Sequence, residues 1–305
     1  KHYSVLSNAA KKISKSLAKN GLPENQLGTQ VGEINSDGDT QKALDLIADE
    51  NIVTALKNKN VVAYFSEERE SALLLDPEGN LIVCADPLDG SSNIDNNMSV
   101  GTIFSILPRK TEVFEADQLL RDALQSGINQ LASGFFVYGP QTSLILTTGK
   151  GAAAFLLDEE EFFKMEWEPN LPTKGSQFAI NISNMRFWSQ CTRSYIQSCV
   201  DGTEGTFAKN YNMRWCGSLV ADAWRIFREG GIFLYPEDKR DNYKEGRLRL
   251  VYEANPIAFI AEQAGGRATN GNTDILFIKP GSLHQRVPLI FGSKEEVIKY
   301  ESLNK

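Results

Sequence analysis

Residues 81–106 read LIVCADPLDGSSNIDNNMSVGTIFSI, and the rest of the chain is most readily understood from them. The opening run, residues 81–85, is apolar and rich in β-branched side chains, which predicts a buried strand. That strand delivers Asp86, Pro87, Leu88, Asp89, Gly90, Ser91, Ser92 and Asn93 at its end, a place where folds put chemistry. Asp86 and Asp89 set two carboxylates within one turn of each other, and carboxylate oxygen is the donor that hard divalent cations take. Gly90, Ser91 and Ser92 supply backbone N–H groups and two hydroxyls suited to cradling a phosphate. Side by side, the two sets predict metal-assisted phosphate chemistry. Taken alone, the same residues also read as tight Asp-Pro and Asp-Gly turns.

Composition narrows the class. The 305 residues are 41% hydrophobic and 23% charged, as in an ordinary globular protein with a sizeable core. A formal net charge of -7 argues against nucleic-acid or anionic-membrane partners and leaves a small anionic substrate open. No apolar run approaches the roughly 20 residues of a membrane span. Cys84, Cys191, Cys199 and Cys216 form no CxxC pair and read as idle thiols of a reducing, cytoplasmic compartment. The only histidines are His2 and His284, too little material for a histidine phosphatase or a Ser-His triad. Attack by water is therefore expected.

On the N-terminal side, residues 3–19 place Leu6, Ala9, Ala10, Ile13 and Leu17 at helical spacing. Residues 28–40 are polar and read as a mobile loop. Its NSDGD run is no EF-hand, because Leu46 stands where a bidentate glutamate is needed. Asp39 or Thr40 is positioned to cap a helix whose apolar side is Ala43, Leu44, Ile47, Ala48 and Ile52. Asp45 and Asp49 lie one turn apart on it, so at least one faces a cleft. Residues 61–65 predict a short strand ending in Ser66, Glu67 and Glu68, a second carboxylate pair at a second strand end.

On the C-terminal side, residues 135–157 read as successive strands broken by Gly139-Pro140 and Gly149-Lys150-Gly151. A polar, proline-containing stretch at 169–175 sets a boundary between an N-terminal domain, 1–170, and a C-terminal domain, 171–305. Helices are expected at 188–199, 218–228 and 256–264, with strands at 178–182, 231–235 and 248–253. Arg247 and Arg249, two apart on a strand, share one face and can grip an anion.

The 81–106 signature closely resembles the metal motif of the class I fructose-1,6-bisphosphatases, within the lithium-sensitive sugar-phosphatase superfamily. The likeness runs from about residue 8 to residue 297, with several motifs in the family's order. It implies an α/β fold, layered α/β/α/β/α, with two mixed β-sheets between helices. It also implies Mg²⁺-dependent hydrolysis of the 1-phosphate of fructose 1,6-bisphosphate. By that resemblance Glu67, Glu68, Asp86, Asp89, Glu253 and the Leu88 carbonyl hold two or three Mg²⁺ ions, for which Mn²⁺ or Zn²⁺ can substitute. Asp45 and Glu68 activate the attacking water, and Asp39 rides on a loop that closes over the site. Asp89, Gly90, Ser91, Ser92 and Arg249 meet the 1-phosphate end of the substrate. Asn181, Arg214, Tyr235 and Arg247 meet the 6-phosphate, with Arg214 reaching in from a neighbouring subunit of a homotetramer. LHQR at 283–286 also looks like a family segment.

Three departures from the family pattern stand out. Arg247 replaces a lysine, keeping charge but changing reach. Trp215 and Asn184 replace two tyrosines at the 6-phosphate end, which keeps a sedoheptulose-1,7-bisphosphatase or dual-specificity reading open. Asn80, Leu81 and Pro108 replace residues of the animal AMP site, whose N-terminal segment is expected before Lys1, so weak or absent AMP inhibition is expected. The non-enzymatic alternative is a silent sugar-phosphate sensor, which the full carboxylate set disfavours.

Overall fold

The computed structural model describes residues 3–20, 30–34 and 40–303. Its larger sheet has eight strands, in the spatial order Glu161–Lys164, Ala152–Asp158, Thr142–Thr147, Ala132–Tyr138, Val100–Pro108, Leu81–Asp89, Val61–Ser66 and Leu73–Leu74. All neighbours are antiparallel except Val61–Ser66 and Leu81–Asp89, which run parallel. The parallel pair therefore brings two strand C-termini to the same edge. Ser66 pairs with Ala85 there, just before the two acidic motifs.

Both faces of this sheet are apolar, so both must be covered. Phe104, Phe136 and Leu144 point to one side, against Leu6, Ala9 and Ile13 of helix Tyr3–Ala18 and Leu44, Ala48 and Ile52 of helix Ala43–Leu56. Their neighbours Ile103, Phe135 and Ile145 point the opposite way, as period-two alternation requires. They meet Val220, Ala223 and Phe227 of helix Leu219–Glu229 and Ile257, Ala258 and Ala261 of helix Asn255–Gln263.

Those two helices also cover a second, five-stranded mixed sheet, ordered Asn212–Met213, Gln177–Ala179, Ile232–Tyr235, Leu289–Gly292 and Arg267–Thr269. Phe233 and Phe291 face the shared helices, while Ile232, Leu234 and Ile290 face Trp188, helix Gln190–Val200 and helix Lys294–Ser302. The Ser189 hydroxyl starts helix Gln190–Val200 by accepting the Thr192 N–H. The result is the expected five layers, α/β/α/β/α. Among the described residues no helix is long and apolar enough to cross a membrane.

Two elements differ from the sequence reading. The polar 28–40 segment contains strand Gln30–Ile34, paired antiparallel with Thr40–Lys42. The expected strand at 248–253 stops at Arg249, and a wide helical turn, Leu250–Ala254, leads into helix Asn255–Gln263. Every side chain of that turn is buried, so no face alternates with solvent. Pro256 lacks the N–H for an α-helical bond back to residue 252, which accompanies the widened turn.

Candidate active site

Strand Leu81–Asp89 runs four residues beyond its apolar opening and stays buried from Ile82 to Asp89. Residues three apart on a regular strand face opposite ways. Here the register against Val100–Pro108 shifts between Asp86 and Asp89, and this irregularity turns both carboxylates to one place. Pro87, which has no N–H to give the ladder, sits inside it, with its carbonyl accepting the Thr102 hydroxyl at 2.8 Å. Glu253 arrives from the wide helical turn, and Asp86, Asp89 and Glu253 each offer an oxygen within 4.8 Å of the others. Glu67 joins from the parallel strand, its N–H bonded to the Ala85 carbonyl at 3.0 Å.

Few donors offset this negative charge. Asp89 Oδ2 accepts the Val220 N–H at 3.1 Å, at the start of helix Leu219–Glu229, where the helix dipole favours an anion. Gly101 makes that approach possible: a Cβ there would lie 2.6 Å from a Val220 methyl and 2.1 Å from the Phe136 carbonyl oxygen. Glu253 Oε2 accepts the Arg249 N–H at 2.5 Å, and the Arg249 guanidinium lies 3.5 Å from Glu67 Oε1. The Leu88 N–H donates to Asp86 Oδ1 at 3.0 Å.

Burial therefore dominates the acid equilibria. It pushes Glu67 well above the carboxylate range, aided by the charges of Glu253 and Glu68, and Asp86 likewise, aided by Glu67 and Asp89. Asp89 is pushed up to about 6 and Glu253 to about 7, again mainly by burial. A cluster of hard oxygen donors that resists ionisation without compensation fits a divalent cation.

Gly90 adopts φ +75°, a left-handed backbone that favours glycine, and starts the short helix Ser91–Asn96. Asn93 closes the turn with its N–H on the Gly90 carbonyl at 2.8 Å, and its side-chain amide donates to the Gly217 carbonyl at 2.9 Å. The phosphate-type loop is thereby tied to the C-terminal half.

Beside the acids lies a cavity of about 680 Å³, lined by Glu67, Asn242, Tyr243, Arg247, Arg249, Glu253 and Arg286. Arg249 stands opposite Arg286 on the antiparallel ribbon of Leu248–Arg249 and Arg286–Val287. Arg247 lies 3.6 Å over the Tyr243 ring and 5.7 Å from the Tyr235 ring. It also lines a neighbouring crevice with Asn181, Asn184 and Tyr235, so one guanidinium borders both spaces. Trp215 stacks on Tyr235 at 5.7 Å, and Asn184 accepts a hydrogen bond from Arg240 at 3.0 Å. Sequence reasoning missed Arg286 as a cavity residue. Its signal was LHQR at 283–286, which the resemblance marked as a family segment without giving Arg286 a role.

Asp45 is buried on helix Ala43–Leu56, and Glu68 is half-buried in the turn after strand Val61–Ser66. Ser91 is half-buried and Ser92 exposed in the loop. Arg214 is exposed at the end of edge strand Asn212–Met213 and lines neither space. Asp39 lies outside the described residues.

Comparison with known proteins gives a consistent answer. Residues 2–165 match the model of the fructose-1-6-bisphosphatase N-terminal domain, and residues 171–305 that of its C-terminal domain. The chain is 48% identical to the fructose-1,6-bisphosphatase class 1 of Azorhizobium caulinodans, covering 96% of this chain and 89% of that protein. It is 50% identical to that of Rhizobium meliloti, covering 96% and 83%. The crystal structure of Leishmania major fructose-1,6-bisphosphatase in holo form superposes with a TM-score of 0.93 at 33% identity, covering 99% of this chain and 93% of that one.

Proposed function

The chain belongs to the class 1 fructose-1,6-bisphosphatases and is a phosphoric monoester hydrolase of carbohydrate metabolism acting on fructose 1,6-bisphosphate; from that premise we propose that it removes the 1-phosphate, with Mg²⁺ held by Glu67, Glu68, Asp86, Asp89, Glu253 and the Leu88 carbonyl. The observation that carries this reading is the convergence of three buried carboxylate oxygens within 4.8 Å beside an arginine-lined cavity. When bound, two or three such cations supply Lewis acidity, lowering the pKa of the attacking water and neutralising the phosphoryl oxygens.

The chain's own groups do the rest. The N–H groups of Gly90, Ser91 and Ser92, with the two hydroxyls, receive the phosphoryl oxygens, and the largely buried Arg249 guanidinium faces them as a fixed charge. Asp45 and Glu68 orient the water and take its proton, and Asp39 closes over the site. Asn181, Tyr235 and Arg247 hold the 6-phosphate, joined by Arg214 of an adjacent subunit in a homotetramer. Positioning and electrostatics then carry most of the acceleration, as phosphoryl transfer in general requires.

The site lies between an N-terminal domain, 1–170, and a C-terminal domain, 171–305. Asp86, Asp89 and the phosphate loop come from the first, and Glu253 and the arginines from the second. A cytoplasmic location suits the four free cysteines, of which Cys84 and Cys199 have thiols pushed up to about 12 by burial.

A second reading, action on sedoheptulose 1,7-bisphosphate, is favoured by Asn184 and Trp215, which put an amide and an indole where the family has phenols. Phosphate release from both sugars, side by side with Mg²⁺ and with chelator, tests the two. The proposal expects Mg²⁺-dependent release with preference for the fructose compound. Equal or reversed preference would establish the second reading, and no release from either sugar would refute both.

A further inference from the structure

The turn that carries Glu67 and Glu68 is held to the helix that carries Asp45 by a half-buried ionic clamp. Asp49, 2% exposed, lies four residues after Asp45, about 6 Å along the helix axis. Its Oδ1 accepts the hydroxyl of Tyr64, a fully buried residue of strand Val61–Ser66, at 2.9 Å. Its Oδ2 accepts Arg69 Nε at 2.6 Å and lies 2.6 Å from Arg69 Nη2. Arg69 Nη2 also reaches Glu50 on the same helix at 2.7 Å. Arg69 directly follows Glu68, and its own N–H donates to the Ser66 carbonyl at 3.2 Å. The Glu68 N–H donates to the Ser66 hydroxyl at 3.2 Å, and the Glu67 N–H to the Ala85 carbonyl at 3.0 Å. The turn is thus held within itself and against strand Leu81–Asp89, and the Arg69 fork ties it to the helix.

The apolar contacts between that helix and the sheet, Leu44, Ala48 and Ile52 with Tyr64 and Val83, are non-directional and do not by themselves fix a register. A forked guanidinium on a carboxylate that also accepts a phenol does.

The geometry points to Asp49 and Arg69 as positioning residues that set Asp45 against Glu68, so that the two carboxylates meet one water. Asp49 touches no substrate and acts through its helix; Arg69 acts through its turn. This rests on the reading of Asp45 and Glu68 as the water-activating pair, and the experiment separates the two claims.

Arg69→Lys keeps the charge and loses the fork. The double variant Asp49→Asn with Arg69→Gln removes both charges together, so neither is left buried without its counterpart. In both, kcat on fructose 1,6-bisphosphate falls about 10- to 100-fold, the scale of a 1 Å misplacement. KM for the sugar stays within about twofold, because the phosphate contacts lie on other elements, and the melting temperature of Arg69→Lys stays close to that of the parent. Arg69→Lys retains more kcat than the double variant. Unchanged kcat in both variants, or a fall in kcat matched by a rise in KM and loss of folded protein, overturns the clamp. Glu68→Gln, measured in parallel, tests the underlying reading. If it turns over normally while the clamp variants are slow, the clamp does not act through Glu68 and the proposal falls. If it is nearly inactive while Arg69→Lys and the double variant are unimpaired, the water reading stands and the clamp alone falls.

Discussion

Removing the metal should make this protein less stable as pH rises, and the size of the effect follows from the acid cluster. Asp89 goes from 3.8 to about 6 and Glu253 from 4.5 to about 7 on folding, chiefly through burial. Raised acids favour the protonated folded state. Their stabilisation is complete below about pH 4 and is lost as pH climbs through the folded values, 6 and 7. Each shift corresponds to about 3 kcal/mol at neutral pH. Because Asp89 and Glu253 titrate against each other, about 3 kcal/mol is the expected combined floor rather than twice that. For a chain of this length that is a Tm change of about 5 °C. Thermal unfolding in chelator across pH 4 to 8 should show Tm falling by that amount relative to an Asp89→Asn, Glu253→Gln double variant. Added Mg²⁺ or Mn²⁺ should restore it, with a larger increment at pH 8 than at pH 5. A parent Tm that tracks the double variant at every pH, with a metal increment independent of pH, would show that Asp89 and Glu253 are not raised by folding.

Other perturbations have definite outcomes. Gly90→Ala meets no atom closer than 3.5 Å, so its cost lies in the backbone at φ +75°, about 1 kcal/mol; circular dichroism should show a folded protein and kinetics a loss of kcat/KM as the loop re-forms. Arg286→Gln should raise KM for fructose 1,6-bisphosphate about tenfold while kcat changes little, since a cavity guanidinium acts mainly on a bound anion; an unchanged KM removes Arg286 from substrate contact. AMP inhibition through the Asn80, Leu81 and Pro108 region should be weak or absent, and calorimetry showing a tight AMP complex at that site would contradict this. There the Asn80 N–H is bonded to Asn60, and Leu81 and Pro108 face each other as strand partners.

The layered fold was legible because its elements carry clean patterns. The β-branched run before Asp86 is a strand, and the apolar stripe of Ala43 to Ile52 is a helix. Glu67, Asp86 and Asp89 could be found because acids at strand ends are visible in one dimension. Glu253 was assigned through resemblance, and its local structure was misread: 248–253 alternates like a strand, yet burial on all sides makes residues after Arg249 helical. The convergence of Asp86 with Asp89 depends on a register shift that no spacing rule reveals. Arg286 escaped notice because its place in the cavity comes from pairing with Arg249, nearly forty residues away in the chain. Asp49 was seen as one of two candidates for a cleft; only the Arg69 and Tyr64 contacts show that it faces the sheet turn instead.

The most direct test of the account is Mn²⁺ binding, counted by electron paramagnetic resonance in the presence of inorganic phosphate and paired with phosphate release, for the parent and for Asp86→Asn. Two or three bound ions and metal-dependent turnover are expected in the parent, with at least one ion and nearly all turnover lost in the variant while the fold persists. A variant that keeps both its ions and its turnover would contradict it.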